Sequence, residues 1–159
     1  ERRKAGSDLL WKSNNLDIRH VNDDILYWMR ESGCYQLTVS LESGSPNTLK
    51  RMKRPMNLDR CVETLRRMKH YGFDEVCSNF IVGVPGDTWD DIRTTFAFAD
   101  RMVQEGLLTY VLFSVATPLP GTELTEQAMV GGYLPDNFNP LEFYGFGKGL
   151  ITTEHFRPE

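Results

Sequence analysis

The sequence predicts an α/β protein with parallel strands and outer helices, on three observations. Short apolar runs alternate with stretches of helical periodicity along most of the chain. The connections between them are brief, which suits strands that run in one direction and are joined by right-handed crossovers. The strand-like runs are nearly continuous in apolar residues, as expected when helices cover the outside of a sheet. Four such runs fit either a small open sheet or part of an α/β barrel.

The elements follow in order. "LLWKSNN" (residues 9–15) reads as a short strand running toward a polar end. Asn22, Asp23 and Asp24 supply a cap and first-turn acids; Ile25, Leu26, Trp28 and Met29 fall at helical spacing, and Gly33 stops the helix. "QLTVSLE" (residues 36–42) is the second strand, and Ser45 followed by Pro46 opens a short helix bearing Leu49 and Met52. Leu58, Cys61, Val62, Leu65 and Met68 form one stripe of a second helix that ends at Gly72. "EVCSNFIVG" (residues 75–83) is the third strand. Thr88 with Asp91 resembles a capping box, and Ile92, Phe96, Ala99 and Val103 mark the helix it starts. "LLTYVLFSVA" (residues 107–116) is the last strand, and a final helix is expected near residues 122–130. The division expected is a core over residues 1–130 and an extension over 131–159, rich in Gly, Pro, Asn and aromatic residues.

The 159 residues suffice for one domain with a real core. A hydrophobic content of 40% with 25% charged residues is globular rather than disordered. The longest apolar runs are far short of the ~20 residues a membrane span needs. No basic and apolar leader opens the chain, so a cytoplasmic setting is expected. The opening "ERRKAGSDLL" has no initiator Met and reads as a chain cut from something longer. Residues 1–80 carry 14 Lys/Arg against 11 Asp/Glu, and the remainder carries 4 against 11. That balance gives no nucleic-acid footprint. The basic residues Lys50, Arg51, Lys53 and Arg54, and Arg66, Arg67 and Lys69, read as solvated helix faces. Three cysteines, Cys34, Cys61 and Cys77, match no metal spacing and suit a reducing compartment.

In parallel α/β folds ligands gather at the carboxyl ends of the strands. That rule selects "ESGSP", "GVPGDT" and "TPLPGT", with Asn14 and Asn15 at the same rim. Glu42 is the one full charge that the last residues of these strands themselves supply, before the loops begin. A carboxylate there accepts hydrogen bonds from a ribose diol or an ammonium group, or else from neighbouring backbone N–H groups. The turn containing Gly83, Pro85 and Gly86 allows close approach of a flat ligand, or is simply a tight connection. No Lys lies in the strands from Gln36 onward, which disfavours Schiff-base chemistry. There is no GxGxxG or Walker loop, and His20, His70 and His155 are far apart.

Three segments occur in order: "NNLDIRHVNDDILYWMRESGCYQLTVSLESGSPNTLKRMKRPM", "SNFIVGVPGDTWDDIRTTFAFA" and "ATPLPGTEL". Together they resemble the later strands of a radical S-adenosylmethionine enzyme core, of the group that often carries an N-terminal cobalamin-binding domain. The resemblance covers residues 9–130. It implies the C-terminal half of a partial (β/α)6 TIM-like barrel. It implies that Glu42, with Ser40 and Ser43 beside it, contacts the ribose or methionyl part of S-adenosylmethionine. It further implies that Asn79, Ile81 and Gly83, with Pro85 following, lie along the adenine, and that the loop of Thr117 closes the adenine and substrate side. The family's CxxxCxxC loop, which ligates a 4Fe-4S cluster, is absent from this sequence. The expectation is therefore a fragment, inactive alone, whose cluster ligands and remaining barrel strands come from a missing N-terminal half, and whose substrate is a small molecule. Two other readings stay open: a nucleoside-binding half-barrel without chemistry, and an unrelated α/β enzyme binding phosphate at helix N-termini. Glu42 argues against the last, since it would repel an anion.

Overall fold

A computed structural model of the protein describes residues 9–139 and 149–157. The opening basic stretch and residues 140–148 of the extension lie outside the described residues. The element order is β1 (Trp11–Leu16), α1 (Asp23–Glu31), β2 (Cys34–Glu42), α2 (Pro46–Arg51), α3 (Leu58–His70), β3 (Glu75–Val82), α4 (Trp89–Gln104), β4 (Tyr110–Val115) and α5 (Glu123–Val130). A single 3-10 turn, Ile18–His20, joins β1 to α1.

The four strands form one sheet in the order β1-β2-β3-β4, and every pair is parallel. Each helix starts where a side chain satisfies the first free N–H groups. Asn22, Ser45, Asn57, Thr88 and Thr122 are the caps, and Thr88 with Asp91 closes a complete capping box.

One face of the sheet is covered by α1, α3 and α4. Leu37, Val39 and Leu41 of β2 and Val76 and Phe80 of β3 meet Leu26, Leu65, Met68, Ala99 and Met102 there, all buried. The opposite face is more polar: the residues of β2 pointing that way are Gln36, Thr38, Ser40 and Glu42. A second, smaller core lies at the carboxyl rim, where Val84, Ala116 and Ile151 are packed by Leu124, Tyr133 and Phe156.

Several sequence expectations shift. The first strand runs Trp11–Leu16 rather than over residues 9–15, and Leu9 and Leu10 are exposed. The last strand is only Tyr110–Val115; Leu107 and Leu108 before it are buried in the connection, where a backbone N–H of each reaches the Met102 carbonyl. On α4 the buried face is Ile92, Thr95, Phe98, Ala99 and Met102, while Phe96 and Val103 are exposed. Phe96 instead turns toward the open flank of β4, its ring 4.4 Å from that of Phe113.

Candidate functional site

The carboxyl ends of the strands open into a pocket of about 740 Å³. That is within the range that encloses a cofactor-sized ligand. Its floor is a polar row across the sheet. Asn15 from the end of β1, Ser40 from β2 and Asn79 from β3 all line it, and the Asn79 amide donates to Asn15 Oδ1 at 3.1 Å. Ile81, Leu112 and Ser114 continue the wall toward β4.

Glu42 enters the pocket through two local irregularities. The β2–β3 register slips between Ser40 and Glu42, so Leu41 is an extra residue on its strand. Glu42 itself has φ +62°, in the left-handed region that side-chain-bearing residues rarely adopt. The Glu42 side chain lines the pocket and pairs with the Arg54 guanidinium at 3.0 Å. Burial pushes the Glu42 carboxyl above its ordinary value; Arg54 opposes that push, and Asp17 adds to it.

Arg54 is delivered by the end of α2. Lys53, with φ +54°, takes the left-handed position past the helix, and Arg54 N–H closes on the Leu49 carbonyl at 2.9 Å. The Arg54 Nε lies buried with no hydrogen-bond partner. An opposed carboxylate and guanidinium at one pocket wall match in charge the two ends of an α-amino acid.

Of the residues singled out in the sequence, Ser40, Glu42, Asn79, Ile81 and Thr117 line this pocket. Ser43 does not: it is fully buried behind the wall, its hydroxyl 2.7 Å from that of Thr95 and accepting from Ser45 N–H. Gly83, with φ +78°, is not among the lining residues and sits against the Phe156 ring, which a Cβ would approach to 3.4 Å. Pro85 borders a separate shallow depression with Glu126 and Tyr133. Glu42 is also not the one charge at the rim, because Asp17, Arg51, Lys53, Arg54 and Glu123 line the same pocket. Arg54 had no local signal in the sequence, since its place depends on where α2 stops and on the left-handed Lys53.

Cys34, Cys61 and Cys77 are all buried, lie in three different elements and are absent from the pocket lining. No group of metal-ligating residues occurs among the described residues, so the residues present do not fit an iron–sulfur cluster. No described helix is long and apolar enough to cross a membrane.

Comparisons with known proteins bear on the fold and the family. The radical SAM superfamily pattern matches residues 2–99. The chain is 27% identical over 132 residues to an uncharacterised methyltransferase of Pyrococcus horikoshii, covering 83% of this chain and 28% of that protein. It is 31% identical over 120 residues to a tRNA-2-methylthio-N(6)-dimethylallyladenosine synthase of Saccharopolyspora erythraea, covering 74% and 23%. Among solved structures, Escherichia coli coproporphyrinogen III oxidase, a radical SAM enzyme, superimposes with a TM-score of 0.57 at 21% identity, over 67% of this chain and 24% of that one. The chain thus spans about a quarter of the length of the curated relatives it matches. Its four parallel strands with outer helices correspond to part of that enzyme's barrel. With the family pattern covering more than half of its residues, the chain belongs to the radical SAM superfamily.

Proposed function

We propose that this chain forms the cofactor- and substrate-facing strands of a radical SAM enzyme and holds S-adenosylmethionine at the Glu42–Arg54 pair. The observation that carries the reading is that ion pair, at 3.0 Å inside the pocket, built by a left-handed Glu42 and a left-handed Lys53. Glu42 would take the methionyl ammonium and Arg54 the carboxylate. Asn79 and Ser40 would meet the ribose, and Ile81 with the turn after it would lie along the adenine. When bound, S-adenosylmethionine supplies the reactive carbon–sulfur bonds; this chain's residues bind and orient it and shelter it from water. The reading assigns no cluster ligand to this chain, and places the 4Fe-4S cluster and the remaining strands on another part of a longer protein. The methyltransferase and methylthio synthase likenesses support methyl or methylthio transfer; a small substrate and a cobalamin domain in the whole protein belong to the reading through the family resemblance alone.

A second reading is a nucleoside-binding half-barrel without chemistry, which the same pocket would serve. Calorimetric titration tests the shared core of both. S-adenosylmethionine is expected to bind this chain, and Glu42→Gln to weaken binding about 10- to 100-fold, the worth of one charged hydrogen bond. Binding indifferent to Glu42 would refute the assignment.

A further inference from the structure

Behind the pocket wall, one cation holds two buried acids. Arg51 closes α2, lines the pocket and reaches over the turn that follows β3. Its Nη1 donates to Asp87 Oδ1 at 3.3 Å and to Asp91 Oδ2 at 3.0 Å. Both carboxylates are buried. Asp87 also accepts from Thr48 Oγ1 of α2 at 2.6 Å and from the backbone N–H of Val84 at 3.0 Å, which closes the turn at residues 84–87. Asp91 accepts from Ser45 Oγ at 2.7 Å, from Asn47 Nδ2 and from the backbone and hydroxyl of Thr88.

The turn is shaped to admit the guanidinium. Gly86 has φ +84°, and a Cβ there would come to 3.2 Å from Arg51 Nε. Two buried carboxylates side by side repel unless a cation serves both; here one nitrogen, Nη1, reaches both acids, and a lysine nitrogen would end one bond short of it. The same acids therefore tie the start of α2, just past Glu42 at the end of β2, to the turn after β3, which carries Val84.

We infer that Arg51 is a positioning residue: it fixes the turn at residues 84–87 against α2 and so sets how tightly the adenosine end of the cofactor is held. This rests on the cofactor reading above. Two variants test it. Arg51→Lys keeps the compensating charge, and Arg51→Gln combined with Asp87→Asn removes charge from both partners, so that a folded protein is available. In the ligand-free chain, amide hydrogen exchange at Val84 and Asp87 is expected to quicken about tenfold in each, with Leu37 and Val39 unchanged. Adenosine affinity is expected to fall about tenfold while methionine affinity stays constant. Unchanged exchange at the two turn amides in folded variants, or equal losses for adenosine and methionine, would overturn the inference. A wild-type chain that binds neither probe overturns the cofactor reading itself and this assignment with it, a result distinct from binding that ignores Arg51.

Discussion

Glu42 occupies a position that both its backbone and its charge disfavour. A left-handed residue with a side chain costs about 1–2 kcal/mol, and burial penalises its ionised form. Strain of this kind persists where the surroundings hold it, and here they aim a carboxylate into the pocket. The charges that act on Glu42 are Arg54, which it touches, and Asp17 and Arg19. Because its folded pKa is raised above 4.5, Glu42 takes up a proton at a higher pH than an ordinary carboxylate. An ammonium ligand needs the ionised form, so cofactor affinity is expected to fall on acidification, beginning above pH 4.5. Glu42→Gln should flatten that part of the profile; an unaltered slope in the variant would place the titration elsewhere. For folding the sign is opposite: the raised pKa favours the folded state at low pH, and that contribution is lost as pH rises through the folded pKa. Glu42 was legible in the sequence because a strand ending in a charge before a glycine turn is unusual. Ser43 misled by adjacency, since one step along the chain turns the side chain away from the pocket and into the wall.

At the level of elements, caps and stripes were readable because they are local. Ser45 with Pro46, and Thr88 with Asp91, each satisfy N–H groups within one turn. The phase of α4 was not, because residues 92, 96, 99 and 103 and residues 92, 95, 99 and 102 both satisfy helical spacing. What decides between them is tertiary: Phe98 packs edge-on to Phe80, while the flank of β4 beside Phe96 carries no further strand among the described residues. The position of Arg54 was equally hidden, since it depends on the length of α2 and on the left-handed Lys53. The loop after β2 depends on close approach to α4. A Cβ at Gly44 would stand 2.4 Å from Phe98 Cβ and 3.0 Å from the Thr94 carbonyl oxygen. Gly44→Ala must therefore push α4 outward, and is expected to destabilise by about 1–3 kcal/mol in urea denaturation. A neutral result would mean that the loop and α4 are not packed as described.

For the whole molecule, the alternation of strand and helix pointed to parallel pairing, whereas the strand order and the polar inner face of β2 became visible only once the sheet was assembled. Each end of that sheet has one strand with a single neighbour among the described residues, β1 on one side and β4 on the other. Such edges present unpaired N–H and C=O groups. Exposed aromatic residues accompany the β4 edge, Phe113 on the strand and Phe96 against it, and Tyr27 and Trp28 on α1 are exposed as well. The chain as given is therefore expected to associate, with a sedimentation coefficient that rises over micromolar concentrations. A monodisperse monomer across that range would count against a partial barrel with open edges. Sequence reasoning reached this expectation through the family resemblance, because no local pattern records whether a sheet closes.

The central claim is that the Glu42–Arg54 pair holds the methionyl end of S-adenosylmethionine. A crystal structure of the chain grown with that cofactor tests it most directly. The account expects the ammonium at Glu42, the carboxylate at Arg54 and the adenine along Ile81 and the turn after β3. Cofactor bound elsewhere, with the Glu42–Arg54 pair still closed on itself, would contradict it.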